Sequence, residues 1–257
     1  MKKADFNKKV IEIKRLEKSF KLQSQSTYFE RVKNLFKRGK HVKALSAINL
    51  DIYEGDTVGI IGRNGSGKTT LLNIIMGSIR ADKGSVVKTN GDIIRLALGL
   101  GMDPNLSGHD NIYVNGSVLG LSFKKIGLLY NSIVEFAGLS DYIQAPVKTY
   151  SSGMKQRLMF SIAMYAPSDI FLLDEFFGGT GDSNFREKSD KMFHKRILEG
   201  KTVILVSHSM AIIRKFCKKC IWIEKGHIMN YGETHEIIKK YQDFNKINSK
   251  DNVGGAI

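Results

Sequence analysis

Apolar residues along this chain fall into two kinds of run. Three runs are short and nearly continuous: "DTVGIIG" (56–62), "DIFLLDE" (169–175) and "KTVILVSH" (201–208). A strand that reads as unbroken apolar residues is buried on both faces, so these predict a parallel sheet covered by helices on each side. Others have helical spacing, as in "TTLLNIIMGS" just after the first strand. "CIWIEKGHIMNYG" (220–232) predicts two short strands around a Lys225-Gly226 turn. Residues 106–145 are helical in pattern, with Gly and Ser breaks. The pattern predicts an α/β sheet core interrupted by a helical subdomain.

Composition adds one feature to this picture. At 257 residues, with 42% hydrophobic and 25% charged residues, the chain is long enough for one well-buried core. Its net charge of +15 calls for an anionic partner: nucleic acid, an anionic membrane surface or a charged polymer. The charge is uneven. Residues 1–43 hold 14 Lys/Arg against 4 Asp/Glu, which is +10 of the +15. The first residues lack the apolar core of a secretion signal, and no apolar run nears the ~20 residues that span a bilayer. The two cysteines, Cys217 and Cys220, have metal or redox spacing, but no second pair follows. They could lie near one another on a helix. A reducing cytosol is the simplest setting.

The segment "GRNGSGKT" (62–69) follows one predicted strand and opens a helix. It fits the phosphate-binding pattern G-x-x-x-x-G-K-[ST], whose glycines let backbone N–H groups wrap phosphate oxygens. Gly62, Asn64, Gly65, Ser66, Gly67 and Thr70 form the expected cradle. Lys68 is expected to reach the β- and γ-phosphate oxygens, and the Thr69 hydroxyl to ligate Mg²⁺. ATP and Mg²⁺ are the expected ligands. Asp174 ends a strand where it can hold the water shell of the ion. Glu175 follows as the candidate general base for an attacking water. Without the loop, this acid pair would read as a cap or a surface pair. His208 closes "TVILVSH". Strand ends of a parallel sheet face the ligand crevice, so a neutral imidazole there could hold the γ-phosphate or the water.

A second phosphate-binding helix start lies far downstream, in "TYSSGMKQRL" (149–158). A nucleotide held by residues 62–69 has no need of it within one chain, because it lies in the helical subdomain. Two copies resolve the problem. Ser151, Ser152 and Gly153 of one copy are expected to cap the γ-phosphate held by the loop of the other, through the Ser152 hydroxyl, the Gly153 N–H and the helix dipole. The expected assembly is a head-to-tail, two-fold dimer that closes on ATP and opens after hydrolysis. The alternative is a serine cap with no ligand.

"YSSGMKQRL" resembles the signature motif of ABC transporter ATPases, roughly LSGGQ-x-x-R. With the phosphate loop, "FLLDE" and "VSH" in that order, the resemblance covers about residues 11–231. It implies a single ABC ATPase domain over 1–257. Residues 10–98 and 160–240 would form a RecA-like core with a small antiparallel β-subdomain. Residues 99–159 would form the helical subdomain, 21–43 a basic insert and 241–257 a polar tail. "YSSGM" and "DEFFGGTGDSNF", with Gly181, Asp182 and Phe185, resemble the ATPases that export bacterial O-antigen, capsular polysaccharide or teichoic acid. "PNLSGHDNIYVNG" (104–116) resembles the same group. The resemblance adds Asp182 to the nucleotide-contacting residues. It implies an ATPase that drives a lipid-linked polymer outward, working with two copies of an integral membrane subunit at the cytoplasmic face of the membrane.

Two features depart from the family or stay open. ABC ATPases usually carry a Gln near the position of Ala97, yet residues 93–104 hold neither Gln nor Glu. The apolar loop 98–101 is expected to couple mechanically instead, by packing on the membrane subunit; the alternative is a plain Gly-rich turn. In this family adenine stacks on an aromatic residue upstream of the phosphate loop. Phe20 is the candidate and Tyr28 the runner-up; otherwise Phe20 is a core residue of a β-hairpin.

Within the insert, Phe29, Val32, Leu35 and Phe36 share one helical face beside Arg31, Lys33, Lys37, Arg38 and Lys40. A basic amphipathic helix suits an anionic membrane or a membrane partner. Another exported substrate remains an alternative to a polymer. A nucleic-acid or ribosome ATPase is the other class that +15 admits, but such proteins pair two cassettes or add coiled coils or zinc modules, and the charge here concentrates in one insert. After Tyr241 the expected polar tail leaves no room for a carbohydrate-binding domain, which would assign substrate selection to the membrane partner or the lipid-linked end. Charge reversal at Lys33, Lys37 and Arg38 should move the protein from the membrane pellet to the supernatant, since each basic residue near an anionic leaflet contributes about 1 kcal/mol. Unchanged sedimentation would place the insert elsewhere.

Overall fold

The computed structural model describes residues 8–21, 41–96, 101–175, 183–198 and 200–251. Two sheets organise them. β1 (Lys9–Lys21), β2 (His41–Tyr53) and β4 (Val86–Thr89) form an antiparallel sheet in the order β2-β1-β4. β3 (Thr57–Ile61), β5 (Ile93–Leu96), β6 (Ile170–Asp174), β7 (Thr202–Val206), β8 (Lys219–Glu224) and β9 (His227–Glu233) form the second, in the order β5-β6-β7-β3-β8-β9. Its neighbours run parallel except for the β8–β9 hairpin. The turn of that hairpin uses Lys225 at φ 47 and Gly226 at φ 79, the backbone that a tight hairpin of right-twisted strands needs.

The three continuous apolar runs are β3, β6 and β7, and every residue of β3 and β7 is buried. Successive side chains point to opposite faces, which splits the core in two. Phe171, Leu173, Val203 and Leu205 face one cluster; Ile170, Leu172, Ile204 and Val206 face the other. The second cluster also takes Leu71, Leu72 and Ile75 of α1 (Lys68–Ile75) and the apolar side of β1 and β2. A two-faced sheet core of this kind explains why the strands read as unbroken apolar runs.

A third cluster holds α2 (Gly108–Val118) and α3 (Phe123–Ala137) together. Ser107, Ser122 and Gly138 mark helix ends, while Gly116, Ser117, Gly127 and Ser132 lie within the helices. Ser107 Oγ accepts from the Asp110 N–H at 3.0 Å, and Ser122 Oγ from the Lys125 N–H at 3.3 Å. Gly138 closes α3 at φ 63.

α4 (Ser152–Ala163) joins the helical cluster to the core. Its Leu158 and Ile162 belong to the helical cluster, while Phe160 and Ala163 belong to the sheet core. The expected boundary at 159/160 therefore falls inside one helix that serves both parts. Phe160 is fully buried between Phe136 of α3 and Phe185 of α5 (Ser183–Phe193), with ring centroids at 6.2 and 6.0 Å.

Two other expectations meet a different arrangement. Cys217 follows α6 (Met210–Phe216) and Cys220 lies in β8, so the pair does not share a helix. Both are buried free thiols, and burial pushes Cys220 up to about 12 and Cys217 higher than its usual range. Neutral, inaccessible thiols of this kind act as small apolar side chains. The segment expected as a polar tail from 241 is helical to Asp251, as part of α7 (Thr234–Asp251). Its Tyr241 and Phe244 pack on Trp222, with ring centroids at 5.6 and 4.9 Å. Two apolar residues among many polar ones were too sparse a signal. Among the described residues no helix is long and apolar enough to cross a membrane.

Phe160→Ala should destabilise the fold by about 3–5 kcal/mol, the cost of emptying a buried aromatic site. Urea unfolding measures it. A loss below about 1 kcal/mol would mean that α4 does not pin the helical cluster to the core.

Candidate functional site

β3 runs directly into the loop 62–67 and out into α1. Two glycines let the loop pass close to its neighbours. A Cβ on Gly62 would lie 2.0 Å from the carbonyl oxygen of Ile223 in β8. One on Gly67, at φ 111, would lie 2.8 Å from the Ala44 carbonyl oxygen. Gly67 is also the N-cap of α1 and supplies no side-chain cap. The first N–H groups of α1 are thus left to an external acceptor, and the helix dipole favours an anion there.

Residues 64–70 line a cavity of about 270 Å³ with Ala44, Asp174, Glu175, Val206 and His208. Asn64, Gly65, Ser66, Gly67, Lys68, Thr69, Thr70, Asp174, Glu175 and His208 are thereby brought together, from three distant parts of the chain. The Ser66 hydroxyl is buried without a hydrogen-bond partner. An orphaned donor in the wall of an N–H-rich cavity suits a phosphate oxygen. The Thr69 hydroxyl and the Asp174 carboxylate supply the hard oxygen donors that suit Mg²⁺.

Lys68 is buried, and its ammonium donates to the carbonyls of Gly62 at 2.8 Å and Arg63 at 3.0 Å. Burial holds its pKa below the usual lysine value, while Glu175, Asp174 and Glu224 pull it upward. Glu175 stands at φ 50, an uncommon conformation for a residue with a side chain. Its N–H donates to the Val206 carbonyl at 3.1 Å. Its Oε1 accepts from the His208 N–H at 3.0 Å and lies 3.7 Å from His208 Nε2. The strand ends of β6 and β7 therefore hold a carboxylate and an imidazole side by side above the loop.

Other expected residues lie apart from the cavity. Ser151 caps α4, with its Oγ accepting from the Met154 N–H at 3.2 Å. Neither it nor Ser152 nor Gly153 lines the cavity, so a single chain leaves the two helix starts separate. Phe20 lies one residue from the end of β1, opposite Val42, and is 39% exposed, with Lys18 Nζ 5.3 Å from its ring centre. It lies in a β-hairpin but outside the core and does not line the cavity. Tyr28, Ala97, Gly181 and Asp182 lie outside the described residues, as do 22–40 of the insert and 98–100 of the proposed coupling loop.

Sequence reasoning missed Arg95. Its guanidinium, on β5, pairs with Asp174 and donates to Asn73 Oδ1 at 2.6 Å. A lone basic residue inside the apolar run "IIRLAL" was the available signal.

Residues 45–178 match the family model for ABC transporters. The chain is 39% identical over 219 residues to a teichoic acids export ATP-binding protein of Staphylococcus saprophyticus, covering 84% of this chain and 82% of that one. It is 40% identical over 242 residues to a protein of the same name in Lactococcus lactis, covering 93% of this chain and 52% of that one. It thus spans about half the length of the latter, and 43% of a Bacillus anthracis relative. In fold it resembles a dimeric ATP-binding cassette solved with ADP and phosphate, with a TM-score of 0.67 and 22% identity over 87% of this chain and 98% of that one. It also resembles an ABC transporter ATP-binding subunit, with a TM-score of 0.71 and 17% identity over 91% and 93%.

The Arg95 guanidinium pairs with the carboxylate that a Mg²⁺ ion would use. Arg95→Leu should lower the Mg²⁺ concentration at which a fluorescent ATP analogue half-saturates by about fivefold, as a partly exposed charge pair of ~1 kcal/mol allows. An equal or higher Mg²⁺ requirement would show that the guanidinium does not compete.

Proposed function

The chain belongs to the ABC transporter family, in the branch of cell-surface polymer exporters that includes the teichoic acids export ATP-binding proteins, and on that premise we propose that it is the ATP-binding and ATP-hydrolysing subunit of such an exporter. Its cargo is a lipid-linked polysaccharide or teichoic acid, moved outward across the cytoplasmic membrane. The observation that carries the reading is the single cavity in which the phosphate loop, Asp174, Glu175 and His208 converge.

Each residue then has a role. The N–H groups of the loop and the start of α1 hold the phosphates, and Lys68 neutralises them. Thr69 and Asp174 hold Mg²⁺, which when bound offsets charge on the phosphate oxygens. Glu175 takes a proton from the attacking water. The His208 N–H fixes the Glu175 carboxylate at 3.0 Å, and its imidazole, with Nε2 3.7 Å from the same oxygen, orients the water or the terminal phosphate. Burial partly desolvates Lys68, so its charge acts more strongly on the phosphates it meets than it would in water.

A second copy completes the site. Ser151 already caps α4, which leaves the Ser152 hydroxyl and the Gly153 N–H for the terminal phosphate bound by the partner. Asp182 joins the nucleotide contacts, and Phe20 or Tyr28 stacks on adenine. Two ATPase subunits work with two integral membrane subunits at the cytoplasmic face. The basic residues of 22–40 carry charge suited to an anionic membrane surface, while Lys21 and residues 41–43 belong to β1 and β2. Nucleic acid is not a partner.

Glu175→Gln should retain ATP and lower hydrolysis by at least about 10²-fold, the usual worth of a general base. Tagged Glu175→Gln protein pulled down in detergent with ATP, and analysed by mass spectrometry, should bring a multi-spanning membrane protein. Recovery of ribosomes or nucleic acid alone would leave the ATPase chemistry and overturn the export function.

A further inference from the structure

The phosphate loop is held from outside the site. Arg63 is its first variable residue, and its backbone carbonyl accepts from Lys68 Nζ at 3.0 Å and from the Ser66 N–H at 3.1 Å. Its side chain turns the other way. Arg63 Nε and Nη2 both donate to Asn245 Oδ1 of α7, at 3.2 and 3.0 Å, and the guanidinium lies 5.5 Å from the Phe244 ring centre. One residue thus ties the lysine of the cradle to a helix 182 positions away.

α7 is well placed to hold a fixed position. Tyr241 and Phe244 flank Trp222, which pairs with Ile61 at the last position of β3 before the loop. Ile237 and Ile238 are buried in the sheet core. Gln242 Oε1 accepts from Arg214 Nη2 of α6 at 3.3 Å. α7 is therefore anchored on the sheet and on α6, and Arg63 reaches across from the loop to its exposed side.

We propose that α7 is a positioning element for the nucleotide site, setting the affinity of the phosphate loop through the Asn245–Arg63–Lys68 chain. A bidentate guanidinium contact with an aromatic face below it fixes the first turn of the loop. The carbonyls of Gly62 and Arg63 are thereby kept where Lys68 finds them. Loosening Arg63 lets the loop sample conformations that do not bind phosphate, and apparent affinity falls with the fraction that does. Asn245 and Phe244 touch no reacting group, so the effect falls on binding rather than on the chemical step. The inference rests on the nucleotide-binding reading of the site.

The test uses the full chain and a fluorescent ATP analogue with Mg²⁺. Asn245→Leu should weaken analogue binding about fivefold and raise KM for ATP equally while leaving kcat unchanged, the signature of lost uniform binding. Asn245→Asp retains the acceptor oxygen and should bind within about twofold of the parent. Arg63→Met should match Asn245→Leu, and the double variant should be no weaker than either alone, as expected for one shared interaction. Unchanged affinity in Asn245→Leu, or additive losses in the double variant, would overturn the proposal and leave the nucleotide site standing. Failure of the parent chain to bind the analogue would overturn both.

Discussion

The buried ammonium of Lys68 is the constraint on which the site depends. A charge taken out of water needs partners, and here two carbonyls of its own loop accept from it. That arrangement requires the loop to curl back on itself at Gly62, where the Ile223 carbonyl leaves no room for a side chain. It also requires β3 to stop and α1 to start within a few residues. The result is a ring of N–H groups around a pocket that already contains one positive charge. Acidic residues at the ends of neighbouring strands then face that charge and balance it.

The two-faced sheet supplies those strand ends. β6 and β7 are parallel neighbours, so Asp174 and Glu175 finish beside Val206 and His208. The same parallel order sets β3 between β7 and β8, which places the phosphate loop at the same edge. No single segment holds all the parts. The crossover helices that make a parallel sheet possible also carry its strand ends to one crevice.

Two elements connect this crevice to the rest of the molecule. α4 begins with the Ser-Ser-Gly start and ends in the sheet core, so its first turn cannot shift without moving Phe160 between Phe136 and Phe185. α7 packs beside β8 and touches the loop at Arg63. One helix presents its Ser-Ser-Gly start away from the chain's own cavity, and the other meets the phosphate loop through Asn245 and Arg63. Packed helices of this kind transmit displacement because a dense core does not absorb it.

The parts that the sequence determined alone are those set by local backbone demands. The glycine spacing of the loop, the three apolar strands and the Lys225-Gly226 turn each need particular residues at short range, and all were readable. Convergence of Lys68, Asp174, Glu175 and His208 was readable too, because strand ends of a parallel sheet must meet. Tertiary structure alone decided the Arg95–Asp174 pair, the burial of both thiols on different elements, the exposed place of Phe20 and the tie from Asn245 to Arg63. Arg95 and Asp174 are 79 residues apart, and their contact exists because β5 happens to lie beside β6. The tail shows the same limit from the other side. Its polar composition conceals two aromatic residues whose value appears only against Trp222. Local pattern records what a residue's own backbone requires, and which distant surface it meets is settled only when the strands take their order.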